Sequence, residues 1–364
     1  MKRRIHITGP LSFLILLSCL ALLLSACSKK QYPSATSEVV IYPPPPDTAR
    51  VQYLTSISTS VQVEGQRSGF ARFILGEEKP KPVFKPYGVF MNDSLIYLCD
   101  LDLQGLEILD LKNKTFSYFT PRGLGQLKLP INCFVDSTGY LFVADASRKQ
   151  VVVFDTRLNY AGAIDKPGDF KPTDVFVAYN KVWVANVVSG AVDVFSRDSA
   201  FAYLYSISPA NPAAGRLYQP TNLYVIRDRL YVSDFGEFNV KSYSLEGEWQ
   251  QTIGSYGRMI GQFTRPKGIA VDSSGILYVV DAAFENVQMF DARGRLLMFF
   301  GGSYRAPGDM WLPAKVMLSY KGLKYFQKFV DDRYRLKYLI LVTNNFGPDK
   351  LNIYGYIEEK TNSP

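Results

Sequence analysis

An all-β fold built as a six-bladed β-propeller is predicted by three observations. Prolines recur at Pro86, Pro130, Pro172, Pro220, Pro266 and Pro313, with spacings of 44, 42, 48, 46 and 47 residues, a period that belongs to propeller blades. Each proline is followed by a short apolar run, a turn, and an aromatic-aliphatic strand closing on Asp or Asn. The last repeat offers only three strands, whereas a strand-like segment stands unpaired ahead of the first. One repeat cannot hide both apolar faces of its strands, so neighbouring blades must pack and the ring must close.

Taken in order, the chain opens with Lys2, Arg3 and Arg4 before an apolar run from Leu11 to Leu24, the charged and apolar regions of an export signal. That run is shorter than the roughly 20 residues a membrane-spanning helix needs. It leads into Leu24-Ser25-Ala26-Cys27, which resembles the lipobox of bacterial lipoproteins. The resemblance implies that residues 1–26 are a signal peptide and that Cys27 is lipidated, with more than one acyl chain giving stable anchoring. Residues 27–49, polar and ending near Pro43, Pro44, Pro45 and Pro46, cannot build a core and are expected to be an extended tether. Residues 50–364 then form the propeller.

Arg50 to Ile57 is the unpaired strand, and it is expected to pair with Leu351 to Ile357 so that the two ends of the domain close the ring together. The second strands of the repeats are Ile96–Asp100, Leu141–Asp145, Val182–Asn186, Leu230–Asp234 and Leu277–Asp281, with Leu339–Asn344 as a worn sixth copy. Their closing Asp or Asn residues invite a catalytic reading. Interchange between the two is what a turn role tolerates and an ionisable role does not, so they are expected to accept backbone N–H groups. Between the first and second strands of the sixth repeat, Tyr320 to Lys337 replaces the tight turn of other repeats with a basic segment.

The unit Pro-x-Gly-Ile-Ala-Val-Asp, followed by Leu-Tyr-Val-x-Asp and Val-x-x-Phe-Asp between Pro266 and Asp291, resembles the NHL repeat, and Gly261-Gln262-Phe263 ahead of it fits as well. The resemblance covers residues 50 to 357. The proline-rich leader into Arg50-Val51-Gln52-Tyr53-Leu54 is also similar to bacterial lipoproteins of this kind. Such propellers include binding modules and enzymes, so the resemblance implies a fold and leaves the activity open.

Composition narrows the chemistry. Without Lys2, Arg3 and Arg4 the formal charge falls from +8 to +5, too mild for a nucleic-acid binder of this size. His6, inside the signal, is the only histidine, which excludes Ser-His-Asp and Cys-His sites and histidine-ligated zinc in the processed chain. Cys99 and Cys133 remain after processing, either as buried free thiols or as one disulfide between adjacent blades.

If each first strand runs from top to bottom, the tether and the sixth-repeat insertion share the bottom face. The insertion carries Tyr325, Phe326, Phe329 and Val330 at roughly helical spacing, and its Lys324, Lys328, Arg333, Phe326 and Phe329 are expected to touch anionic headgroups, unless the segment simply packs over the ring closure with a solvated basic side. The opposite face carries Arg122, Arg258, Arg265 and Arg305 with Tyr256, Tyr304 and Trp311, a mixture suited to an acidic glycan or an acidic protein surface. The expected function is therefore a monomeric, non-enzymatic envelope lipoprotein that binds a protein or cell-wall glycan partner on its membrane-distal face. The alternative is a metal-dependent hydrolase or lyase, lactonase-like, with a calcium-type ion held by Asp and Asn in the central channel. No other cofactor is expected. Ser28 rather than Asp after Cys27 leans towards an outer membrane, facing the periplasm.

Overall fold

The computed structural model describes residues 39–65, 79–207 and 215–360. The expected signal peptide, Cys27 and the tether as far as residue 38 lie outside the described residues.

Six sheets form the ring expected from the repeats. Blade one holds β3 (Pro86–Asn92), β4 (Leu95–Asp100), β5 (Gly105–Asp110) and β6 (Thr115–Phe119), and blade two holds β7 (Pro130–Val135), β8 (Leu141–Asp145), β9 (Gln150–Phe154) and β10 (Tyr160–Ile164). Blade three is β11 (Pro172–Ala178), β12 (Lys181–Asn186), β13 (Ala191–Ser196) and β14 (Tyr203–Ile207). Blade four is β15 (Pro220–Ile226), β16 (Arg229–Asp234), β17 (Asn239–Ser244) and β18 (Trp249–Ile253), and blade five is β19 (Pro266–Val271), β20 (Leu277–Asp281), β21 (Asn286–Phe290) and β22 (Leu296–Gly301). Blade six combines β23 (Pro313–Ser319), β24 (Tyr334–Asn344) and β25 (Leu351–Glu359) with β1 (Ile41–Tyr42) and β2 (Val51–Ile57).

Every inner strand begins with an anchor proline, a position where the missing N–H interrupts no ladder. The second strands are buried along their length because both faces meet other blades, so they read as continuous apolar runs rather than alternating ones. Outer strands such as β10 and β18 carry exposed residues.

The repeated carboxylates stitch this framework. Asp100 accepts from the backbone N–H groups of Phe84 and Lys85 on the incoming connection and of Asp102 and Leu103 in the following turn. Asp145, Asp234 and Asp281 make the same kind of link, and Asn186 does so through its carbonyl to Lys171 N–H. Asn186 also donates to the Asp193 carboxylate at 2.8 Å, a bond an aspartate could not make while ionised. In blade three the Asn thus matches its buried partner Asp193, as in blade four Asp234 matches Lys241.

Closure occurs as expected. Val51 pairs with Tyr356 and Ile57 with Leu351 in an antiparallel ladder, and Val51, Leu54 and Ile57 are buried. The sheet reaches further towards the N-terminus than the tether assignment allows: Ile41 pairs with Gln52, and Ile41 and Ala49 are buried, so the chain joins the propeller from about Val40.

The insertion is shorter and less helical than its sequence pattern suggests. It folds as two single 3₁₀ turns, Leu323–Tyr325 and Gln327–Phe329, and β24 begins at Tyr334, so Arg335 and Lys337 are strand residues that both pair with Glu358. Gly322 has φ +71° and sits where a Cβ would come within 2.4 Å of the Asp93 carbonyl oxygen, which allows the segment to lie against blade one. Gln52 fastens it from the other side, donating to the Phe329 carbonyl at 2.8 Å and accepting from Asp331 N–H at 3.1 Å.

Candidate functional site

Two regions gather functional side chains: the loop face at which the inner strands begin, and the central channel. The loop face is built from the connections between blades and the turns after each Asp or Asn. It places Arg122, Arg258, Arg265 and Arg305 in exposed positions, with Tyr256 at 62% exposure and Trp311 at 46%. Tyr304 stacks on Trp311 with ring centroids 6.2 Å apart and reaches Asp349 Oδ2 at 3.3 Å. Tyr256 packs on Phe238 at 4.8 Å, which continues to Phe235 at 5.8 Å.

Sequence reasoning missed how apolar this face is. Leu124 and Met259 are each 73% exposed, and Ile260, Tyr218, Phe346, Val188 and Phe84 are exposed on the same set of loops. Not every base near this face is free: Lys166 pairs with Asp193 at 2.7 Å, and buried Lys241 pairs with Asp234 at 3.1 Å and with Glu237.

The membrane-contact set is divided by the structure. Phe326 is buried in the core between blades six and one, where it fills space beside Val330, Tyr334 and Leu336, and so is not a surface anchor. Phe329 is exposed, with Lys328 Nζ 4.8 Å from its ring, and Lys324 lies 5.1 Å from the Tyr325 ring. Arg333 is engaged by Asp331 at 2.9 Å, which holds that carboxyl below its ordinary range. Among the described residues no helix is long and apolar enough to cross a membrane.

In the channel, the residue two places after each anchor proline forms a tier: Gly88, Asn132, Asp174, Asn222, Gly268 and Lys315. Blades three and six face each other across a six-membered ring, and Lys315 Nζ spans it to reach Asp174 Oδ2 at 2.6 Å. Asp174 Oδ2 also accepts from Leu223 N–H at 3.0 Å and Asn222 Nδ2 at 3.3 Å, while its Oδ1 accepts from Val175 N–H. Gly268 makes room for this bridge, since a Cβ there would lie 2.5 Å from Lys315 Cα. Nearer the loop face, Lys267 Nζ lies 4.7 Å from the Tyr87 ring, and burial, helped by Arg265, lowers the Lys267 ammonium to about 8.

A calcium-type ion takes roughly 6–8 oxygen ligands. The Asp174 carboxylate is already engaged with an ammonium group, and among the described residues no group of three or more His, Cys, Asp and Glu side chains is placed to hold a metal ion. In the same tier the side-chain oxygens of Asn132 and Asn222 are buried without a partner. Cys99 and Cys133 are buried free thiols, with Cys99 pushed well above its ordinary value by burial and then by the Cys133 thiol.

Glu107 is the other buried group sequence reasoning passed over. It is fully buried, neither of its oxygens has a hydrogen-bond partner, and burial followed by the neighbouring Asp100 carboxyl pushes it from 4.5 up to about 10. The folded chain therefore keeps a proton that the unfolded chain releases. Its contribution to stability is full below pH 4.5 and is lost as pH rises towards 10. Glu107→Gln is expected to gain about 1–3 kcal/mol at mildly alkaline pH and to flatten this decline, as read from urea midpoints across the pH range. An unchanged slope in the variant would assign the pH dependence elsewhere.

No protein-family model matches the chain. A 64-residue stretch is 35% identical to Protein brain tumor of Drosophila melanogaster, which amounts to 18% of this chain and 6% of that protein's length. Among solved structures, a Bacteroides thetaiotaomicron protein of unknown function superposes with a TM-score of 0.56 at 14% identity, covering 85% of this chain and 76% of that one. A streptogramin B lyase gives a TM-score of 0.51 at 12% identity, covering 74% of this chain and 82% of the lyase. Likeness at these identities is one of fold.

Proposed function

We propose that this chain is an envelope lipoprotein of the NHL-repeat type, a non-enzymatic propeller scaffold whose loop face docks a partner with an acidic surface. One observation carries the docking: the face formed by the inter-blade loops combines the exposed Leu124, Tyr218, Tyr256, Met259, Ile260 and Trp311 with exposed arginines. Exposed apolar groups rimmed by polar ones mark interaction surfaces, and Trp, Tyr and Arg are the residues that supply most binding energy in protein interfaces. The NHL assignment is supported by the Pro266 to Asp291 unit. Anchoring is supported by the lipobox-like residues up to Cys27, and the exposed Lys324, Lys328 and Phe329 beside the closing strand are the remaining candidates for touching headgroups.

Site-specific photocrosslinkers at Tyr256 and Trp311 in living cells test the docking. Adducts of one defined mass are expected at both positions and absent when the crosslinker is at Tyr179 on the opposite face; Arg258→Glu with Arg305→Glu should reduce them about tenfold or more. Equal yields from both faces would sink the proposal. Binding to acidic oligosaccharides on an array with no protein adduct would replace the protein partner by a glycan. Cys27→Ser is expected to move the chain out of the membrane fraction.

A further inference from the structure

The channel contains a second, separate feature that the loop-face reading does not use. A cavity of about 250 Å³ extends along the channel from Lys315 and Asp174 towards the far ends of the inner strands. There it shares Phe90, Phe134, Met317 and Leu318 with an open funnel of about 820 Å³ on the face opposite the partner loops. The side chains four places after the anchor prolines supply an aromatic arc: Phe90 to Phe134 at 4.8 Å, Phe134 to Phe176 at 4.5 Å and Phe176 to Tyr224 at 5.0 Å. Ile269 and Met317 provide aliphatic and thioether wall.

The polar end of this cavity is incompletely satisfied. An ammonium group has three N–H donors. Lys315 Nζ, on a residue only 9% exposed, has Asp174 as its hydrogen-bond acceptor among the described residues. In the same tier, the side-chain oxygens of Asn132 and Asn222 are buried without a partner. A buried polar group left unpaired is costly, so several together at the end of an apolar slot describe a place for a ligand's polar end. The Asp174 carboxylate beside Lys315 disfavours an anion there.

We infer that the channel binds a neutral, flat, mainly aromatic molecule that enters through the funnel, lies along the aromatic arc and ends in a carboxamide or ketone whose carbonyl oxygen accepts from Lys315. Naphthalene carboxamide is the probe, titrated calorimetrically into the full chain, with ethylnaphthalene and naphthoate as comparisons. One-to-one binding of the carboxamide is expected, about tenfold tighter than either comparison compound, and Met317→Trp should abolish it. In unmodified protein labelled at its methionine methyl groups, the Met317 signal should shift on titration, which decides the matter even if the tryptophan variant does not fold. Absence of carboxamide binding, or a Met317 signal that stays in place, would mean that the channel holds solvent only. Equal binding of ethylnaphthalene would overturn the role given to Lys315.

Discussion

Asp174→Ala is expected to cost about 3–5 kcal/mol of stability, because it strands the Lys315 ammonium in the channel and takes an acceptor from Leu223 N–H. A whole domain is commonly stable by only about 5–15 kcal/mol, so a loss of this size should lower the urea midpoint steeply. The double variant Asp174→Asn with Lys315→Met removes both charges and is expected to recover most of the loss, since replacing a buried pair by neutral groups is often close to neutral. If the double variant were as unstable as the single one, the damage would lie in the lost Asp174 backbone contacts and not in the uncompensated charge.

Replacing Val51–Ile57 by glycine and serine is expected to leave no folded ring. Val51, Leu54 and Ile57 are buried at the closure, and at about 1.5–3 kcal/mol for each apolar side chain their removal costs roughly 5–9 kcal/mol. β25 would in addition lose its ladder partner and become an open edge, a template for aggregation. Gel filtration and far-ultraviolet circular dichroism should show aggregated, largely unfolded chain. Moving the strand to the other end, by a linker after Glu359, is expected to restore a monomeric ring. Failure of that permuted chain to fold would mean that β2 acts through more than closure.

The fold was largely legible because its repeat is written in residues whose roles do not depend on distant partners. Prolines start the inner strands, apolar runs form the doubly buried strands, and Asp or Asn residues cap backbone amides within their own blade. The closure was legible for a related reason: a strand too few at one end and one too many at the other have a single economical solution. Of the two roles expected for the insertion, packing over the ring closure is the one part of it takes, and a near-helical spacing of aromatic residues does not by itself say which of them turn inward. Phe326 and Val330 turn inward to seal the seam between blades six and one, and a segment pinned by Gly322 and Gln52 is too short for a helix. The Asp174 and Lys315 bridge left a trace, a carboxylate and an ammonium at a repeat position otherwise held by Gly or Asn. Their meeting depends on blades three and six being opposite, which follows only once the ring has six members and is closed.

The closing strand also sets a timetable. β2 is synthesised about three hundred residues before the β25 strand it must pair with. At roughly 5–20 residues per second that is a wait of about 15–60 s, during which early blades have no complete ring to join. Such distant pairing is slow to form even once the whole chain is available. Until its last strand is made the ring cannot close, so the latch that completes the fold is carried by the final strand itself.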